Sequence, residues 1–255
     1  MKFSFESKFL GKSFLHLPVC QSTNDLMLEY ATNPDNIEGH LILADEQTHG
    51  RGQRGNVWEA EKNQNLTFTL LLKPNIKLIN QYNITILCAV ALREALQSFT
   101  EQQVLIKWPN DIYVFTSENK WEKIAGMLIE NKISQSNIVN SIVGIGVNIN
   151  QTNFSNTPLA TSLKLCNATE TDKWKVLNKI LLTLEKYYDF DKTDYNLLRY
   201  IYTQNLLFYG VSHKYEASDE IFDGILLGID DLGRMVLQKG DSITKYDIKE
   251  IKYLF

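Results

Sequence analysis

An apolar run, Leu41-Ile42-Leu43-Ala44, leads without a break into D-E-Q-T-H-G-R-G-Q-R-G-N-V-W at 45–58, and this junction constrains the fold more than any other stretch. A strand that ends in a glycine-rich loop suggests a phosphate-binding turn, but the familiar versions do not fit. No Gly-Lys-Ser/Thr follows, as a Walker loop requires, and no helical pattern opens directly behind the glycines, as a dinucleotide-binding turn requires. What remains is a loop in which Gly50, Gly52 and Gly55 alternate with Arg51, Gln53 and Arg54. Glycine lets backbone N–H groups come close to a ligand and arginine adds guanidinium forks, so the loop reads as an anion cradle. Trp58 closes it with a flat face that can stack on a base. A solvated surface loop carrying charge for solubility is the plainer reading of the same residues.

Around this loop the pattern mixes strands and helices. Residues 16–19 fit a short strand, after which Ser22, Thr23, Asn24 and Asp25 supply N-cap side chains ahead of Leu26, Met27 and Tyr30 at helical spacing. One cap needs only one of them, and polar side chains at a helix start also point at a ligand. Residues 66–70 alternate apolar with polar like a half-buried strand, ended by Pro74. Ile84, Leu87, Cys88, Ala91, Leu92, Ala95 and Leu96 share one helical face within 81–98, marking a helix that covers a sheet. In 104–114 two apolar strand halves are interrupted by Lys107-Trp108-Pro109-Asn110-Asp111. Proline removes a ladder donor there and aims the polar side chains at one spot, although Pro-Asn-Asp also suits a plain hairpin turn. Lys123 opens an apolar strand over 123–130 whose interior Gly126 marks a close approach. A strand over 142–150 puts Gly144 and Gly146 on one bare face, against which something flat can lie, and Asn148 can read a base edge or make a turn.

The remainder reads as an Asn/Ser/Thr-rich loop at 152–158, helices at 174–184 and 195–207, and, beyond Gly210, short alternating runs with a turn at Asp230-Asp231-Leu232-Gly233. The fold class expected is therefore α+β: a mixed sheet flanked by helices, followed by a little all-β domain. A chain of 255 residues with 44% hydrophobic side chains has room for one sizeable core and such an appendage. A net charge of -4 and no basic stripe argue against DNA as a partner. No stretch approaches the ~20 apolar residues of a membrane span, and no signal peptide opens the chain, so the cytoplasm is the default location. Cys20, Cys88 and Cys166 are scattered, which fits buried reduced thiols, and His16, His40, His49 and His213 show no metal spacing.

Four motifs in order carry a resemblance: S-T-N at 22–24, Q-T-H-G-R-G-Q-R-G-N-V-W at 47–58, K-W-P-N-D-I at 107–112 with K-I-A-G-M-L at 123–128, and G-I-G-V-N-I-N at 144–150. Together they look like the biotin protein ligases, over nearly the whole catalytic part of that family. The resemblance implies a catalytic domain over 1–208 with a class II synthetase-like sheet, and an SH3-like domain over 209–255. It implies that biotin is activated by ATP, with magnesium, to biotinyl-AMP and passed to a lysine of a biotin carboxyl carrier domain. Carried over by motif position, Ser22, Thr23 and Gln47 bind the ureido ring. Asn24, Gly50 and Arg51 lie on the same biotin side, with Gly126 and Gly144 letting the ligand rest on the sheet. Lys123 sits beside the carboxylate and α-phosphate as the electrophilic residue. Trp58 and Asn148 hold the adenine, with Asn110 nearby, while Arg54 and Lys107 face the phosphates. Asp111 is either the base for the incoming lysine or a turn carboxylate that fixes the Pro109 bend. Many members carry Arg at the positions of Gln53 and Asn56, so the closed loop is expected to be looser here. Lipoate ligases share fold and chemistry, but their arginine-arginine and triple-glycine pattern is missing. The S-T-N motif beginning at Ser22 leaves no room for the winged-helix domain of the biotin-responsive regulators. A homodimer is compatible with the resemblance.

Overall fold

Strand alternation divides the main sheet into two unlike faces. In the computed structural model, which describes residues 4–154, 157, 159–188 and 193–255, the chain runs β1 (Phe14–Leu17), α1 (Thr23–Tyr30), β2 (Leu41–Ala44), β3 (Leu66–Leu72), β4 (Ile76–Lys77), α2 (Tyr82–Gln97), β5 (Val104–Lys107), β6 (Asp111–Phe115), β7 (Trp121–Ser134), β8 (Asn137–Val147), α3 (Leu163–Asn167), α4 (Lys173–Tyr187) and α5 (Tyr195–Gln204). The sheet order is β1-β2-β3-β8-β7-β6-β5, with β4 beside β8. Only β1 and β2 are parallel among these pairs, so the sheet is mixed as expected. Leu66, Phe68, Leu70 and Leu72 of β3 join Val143, Ile145 and Val147 of β8 in the large core with α2. The other face carries Thr67 and Thr69 opposite Gly146 and Gly144, while Leu71 and Ile142 join Ile42 of β2 in the small cluster under Met27 of α1. One face is thus a core; the other is polar and bare around the glycines.

The expected helix at 81–98 is α2, and it is buried on more than its sheet-facing stripe: Ile86, Ala89 and Val90 are covered as well, because α4 and α5 pack outside it. The helix expected over 195–207 stops at Gln204. Beyond it the chain extends alongside β5, where Ile106 N–H donates to Asn205 O at 2.8 Å and Leu207 N–H to Ile106 O at 2.8 Å. Pairing the sheet edge outweighs another helical turn there, since it satisfies backbone groups of both segments. The first strand lies at Phe14–Leu17, two residues earlier than expected. The loop expected at 152–158 falls partly outside the described residues.

The C-terminal strands β9 (Ser212–Ala217), β10 (Glu220–Ile229), β11 (Met235–Lys239), β12 (Ser242–Tyr246) and β13 (Lys252–Tyr253) form a separate antiparallel sheet in the order β12-β11-β10-β9-β13, an SH3-like arrangement. It is docked by specific contacts. Trp108, 2% exposed, donates its indole N–H to Gly233 O at 2.8 Å, and Arg199 donates to Asp230 O at 2.9 Å. Gly233 has φ +82°, and a Cβ there would lie 2.1 Å from the Tyr82 ring, so this turn needs glycine twice over.

Candidate functional site

A narrow cleft opens on the bare face of the sheet, between α1, the loop after β2 and the ends of β6 and β7. Its cavity is about 50 Å³, lined by Ser22, Thr23, Asn24, Gln47, Arg51, Gly52, Gln53, Trp58, Asn110, Asp111, Lys123, Gly126, Gly144 and Gly146, with Thr67, Phe68, Met127, Leu128 and Ile145. Ser22 caps α1, accepting from Asp25 N–H at 3.4 Å, and leaves Thr23 and Asn24 as the first helical residues, buried against the sheet. Gln47 accepts from the Thr23 N–H at 2.7 Å and its hydroxyl at 3.0 Å through Oε1. Thr69 donates to Asn24 Oδ1 at 2.7 Å, so this end of the cleft is a continuous layer of neutral hydrogen-bonding groups. Such a layer suits an uncharged polar ring.

The bare glycine face is filled by the chain's own flat groups. A Cβ on Gly146 would lie 2.2 Å from the Trp58 indole, and one on Gly144 would lie 2.0 Å from Asn24 Oδ1. Gly144 lines the cleft and also gives room to the Asn24 amide. Gly50 does not line the cleft; a Cβ there would strike Trp58 O at 2.3 Å, so its glycine lets the two arms of the loop cross. The loop is a folded hairpin, with Gly52 N–H donating to Asn56 O at 2.7 Å and Trp58 N–H to Gly50 O at 3.0 Å. Among the described residues, Trp58 Nε1 and Asn148 Oδ1 are buried without a hydrogen-bond partner, a donor on the ring over Gly146 and an acceptor two residues further along the same strand line. Buried polar groups of this kind are uncommon and mark places where a ligand can complete the bonding. Asn148 itself lies outside the cleft lining and donates to Thr161 O at 3.0 Å.

At the other end stands the charged pair. Lys123 Nζ lies 2.6 Å from Asp111 Oδ1, both side chains mostly shielded, and 5.6 Å from the Trp58 ring centroid. Asp111 is thus the partner of Lys123, a role neither sequence alternative foresaw. The pair exists because β7 carries a bulge: Ile112 pairs with Ala125 but Tyr113 with Lys123. Ile124 and Ala125 both turn into the core, so Lys123 emerges on the Gly126 side instead of facing the helices. Its backbone is held by residues 159–161, Lys123 N–H donating to Leu159 O at 2.7 Å and Thr161 N–H to Lys123 O at 2.9 Å. Asn110 joins the turn to β7, its side chain donating to Met127 O at 2.6 Å.

Lys107 is not brought into the cleft. It lies 4.9 Å from the Tyr253 ring centroid and 5.6 Å from that of Tyr113. Burial there pulls its ammonium below the usual lysine value, with the Asp111 charge opposing that shift and Lys123 adding to it. Lys107 thus sits against Tyr253 of the C-terminal sheet, and a phosphate contact by it stays an expectation. The Arg54 side chain lies outside the described residues. Arg51 reaches across the cleft mouth to Asp25 and, at 2.7 Å, to Glu130; in the sequence Asp25 has only a place among the capping residues, and Glu130, Thr67 and Thr69 have no site role. The alternation Thr67-Phe68-Thr69 opposite a glycine-interrupted strand was the available signal, and no local pattern announced Glu130.

Residues 16–148 match the biotin/lipoate A/B protein ligase family. The chain is 30% identical over 250 residues to the bifunctional ligase/repressor BirA of Bacillus spizizenii, covering 96% of this chain and 75% of that protein. It is 25% identical over 238 residues to a biotin–acetyl-CoA-carboxylase ligase of Mycobacterium tuberculosis, covering 91% and 86%. Among solved structures it is similar to the biotin protein ligase of Aquifex aeolicus in complex with biotin and ATP, with a TM-score of 0.74, 25% identity and coverage of 95% and 100%.

Proposed function

The chain belongs to the biotin/lipoate A/B protein ligase family, and from that premise we infer that it activates biotin with ATP as biotinyl-AMP and transfers the biotinyl group to a carrier protein. The observation that carries this reading is the cleft's division: neutral donors and acceptors from Ser22, Thr23, Asn24 and Gln47 at one end, the Lys123–Asp111 pair at the other. A ureido ring suits the first, and a carboxylate that must approach an equally anionic α-phosphate suits the second. Lys123 offsets that repulsion and stabilises the charge that develops as the anhydride forms. As its ammonium turns to the reactants, Asp111 becomes available to take the proton of the incoming lysine amine. Trp58, Asn148 and Asn110 bound the adenine side, the orphan indole N–H and amide oxygen supplying the unmet bonds.

Magnesium would travel with the triphosphate. Among the described residues no three His, Cys, Asp or Glu side chains gather to hold a metal, and the cleft carboxylate Asp111 already has a cation. The carrier we propose is the biotin carboxyl carrier domain of a biotin-dependent carboxylase, with the reaction in the cytoplasm. A homodimer is proposed alongside, to be read by sedimentation, and DNA is not proposed as a partner. Among the described residues, no helix is long and apolar enough to cross a membrane. The test is labelling: pure protein with magnesium, ATP and biotin should modify a biotin carrier domain, and modification with lipoate but not biotin would overturn the assignment.

A further inference from the structure

Arg51 lines the cleft, and both of its terminal nitrogens are already engaged. Nη1 is held by Asp25 in the first turn of α1, and Nη2 by Glu130 Oε1 of β7 at 2.7 Å. Glu130 Oε2 also accepts from Asn24 Nδ2 at 3.0 Å, and Asn24 in turn accepts from Thr69. The guanidinium is thus the outer end of a chain of bonds that runs through the floor of the cleft to β3. Elsewhere the loop tip has little to hold it: nothing lies within 4 Å of a Cβ on Gly55, and Val57 is 79% exposed. Two carboxylates against one guanidinium give the cluster a net negative charge. It stands beside the neutral Ser22–Asn24 end of the cleft, where an uncharged ring and not a carboxylate would lie.

We propose that Arg51 serves as a strut, fixing the Gly/Arg loop over the cleft through Asp25 and Glu130, and that Glu130 is a positioning residue for the ligase reaction. The inference rests on the ligase reading of the cleft for its effect on activity, but not for its effect on the loop. A double-mutant cycle tests it with Arg51→Met, Glu130→Gln and the pair together; Asp25→Asn, at a half-exposed site, replaces Glu130→Gln should that variant be unstable. In the ligand-free protein, hydrogen exchange over residues 48–57 should speed up about fivefold in each single variant, the scale of a partly exposed charge-assisted contact, and no further in the double variant. In biotin-dependent pyrophosphate exchange, both single variants should raise the KM for biotin and leave kcat close to the parent's. Multiplying effects, or a loss of kcat in Arg51→Met that Glu130→Gln does not share, would show Arg51 acting on the reactants directly and overturn the strut. If the parent protein shows no biotin-dependent exchange, the ligase reading and the positioning role fall together, while the hydrogen-exchange cycle still decides the strut.

Discussion

At Lys123 the alternation of a strand is broken by one additional residue, and the side chain that would face the helices stands beside Asp111 and Gly126 instead. Lys123→Ala removes a charge aimed at the transition state, so pyrophosphate exchange should fall about 100-fold or more while biotin still binds. Unchanged exchange would remove Lys123 from the chemistry. Gln53 offers a second test. It lines both the cleft and a neighbouring cavity of about 280 Å³ that reaches Tyr82, Gly233 and Asp247. Gln53→Arg should slow release of biotinyl-AMP, measured by trapping; faster release would mean that the position does not face the intermediate. Residue identities of this kind were largely legible: Ser22, Thr23, Gln47, Trp58, Asn110, Asp111 and Lys123 all meet in one cleft. Their contacts were not. Nothing in K-I-A-G-M announces a bulge, and the partner of Asp111 is twelve residues away in sequence and reached only through that bulge.

The element on which access depends is the loop at 45–58. A cavity of about 50 Å³ holds a few waters at the ~10–15 Å³ that each water needs, so the cleft is narrow with the loop in this position. Trp58 over Gly146 and Arg51 across the mouth narrow it, so the loop is expected to adjust when a ligand enters. Ordering its glycines costs conformational entropy, and the exposed tip offers little burial to offset it. Hydrogen exchange over residues 48–57 should therefore slow when biotin, and more so biotinyl-AMP, is bound; equal exchange in both states would mean a cradle that is already complete. The sequence suggested a glycine-arginine cradle but gave no sign of the hairpin, because the crossing at Gly50 depends on Trp58, eight residues on, returning to meet it. The bare glycine strand was legible too, although the flat group lying on it belongs to the chain itself.

In the whole molecule, the C-terminal sheet is docked beside the site by the turn between β10 and β11, which meets Trp108, and by Tyr253, which seats Lys107. Gly233→Ala would press a Cβ into the Tyr82 ring at a left-handed φ, a destabilisation of about 2 kcal/mol or more. The thermal midpoint should drop by several degrees and carrier labelling should suffer more than biotin binding, since Trp108 and Lys107 lose their seats. A variant that melts and labels like the parent would make this docking dispensable. Small-domain strands were legible from their alternation and turns; the contacts that join them to the catalytic sheet were not, because Trp108 and Gly233 read locally as parts of two unrelated turns. The central claim, that the cleft joins biotin to AMP, is tested most directly by exchange of pyrophosphate into ATP. The pure protein should catalyse exchange that depends on biotin and is lost in Lys123→Ala. Exchange supported by lipoate and not by biotin, or none with either acid, would contradict it.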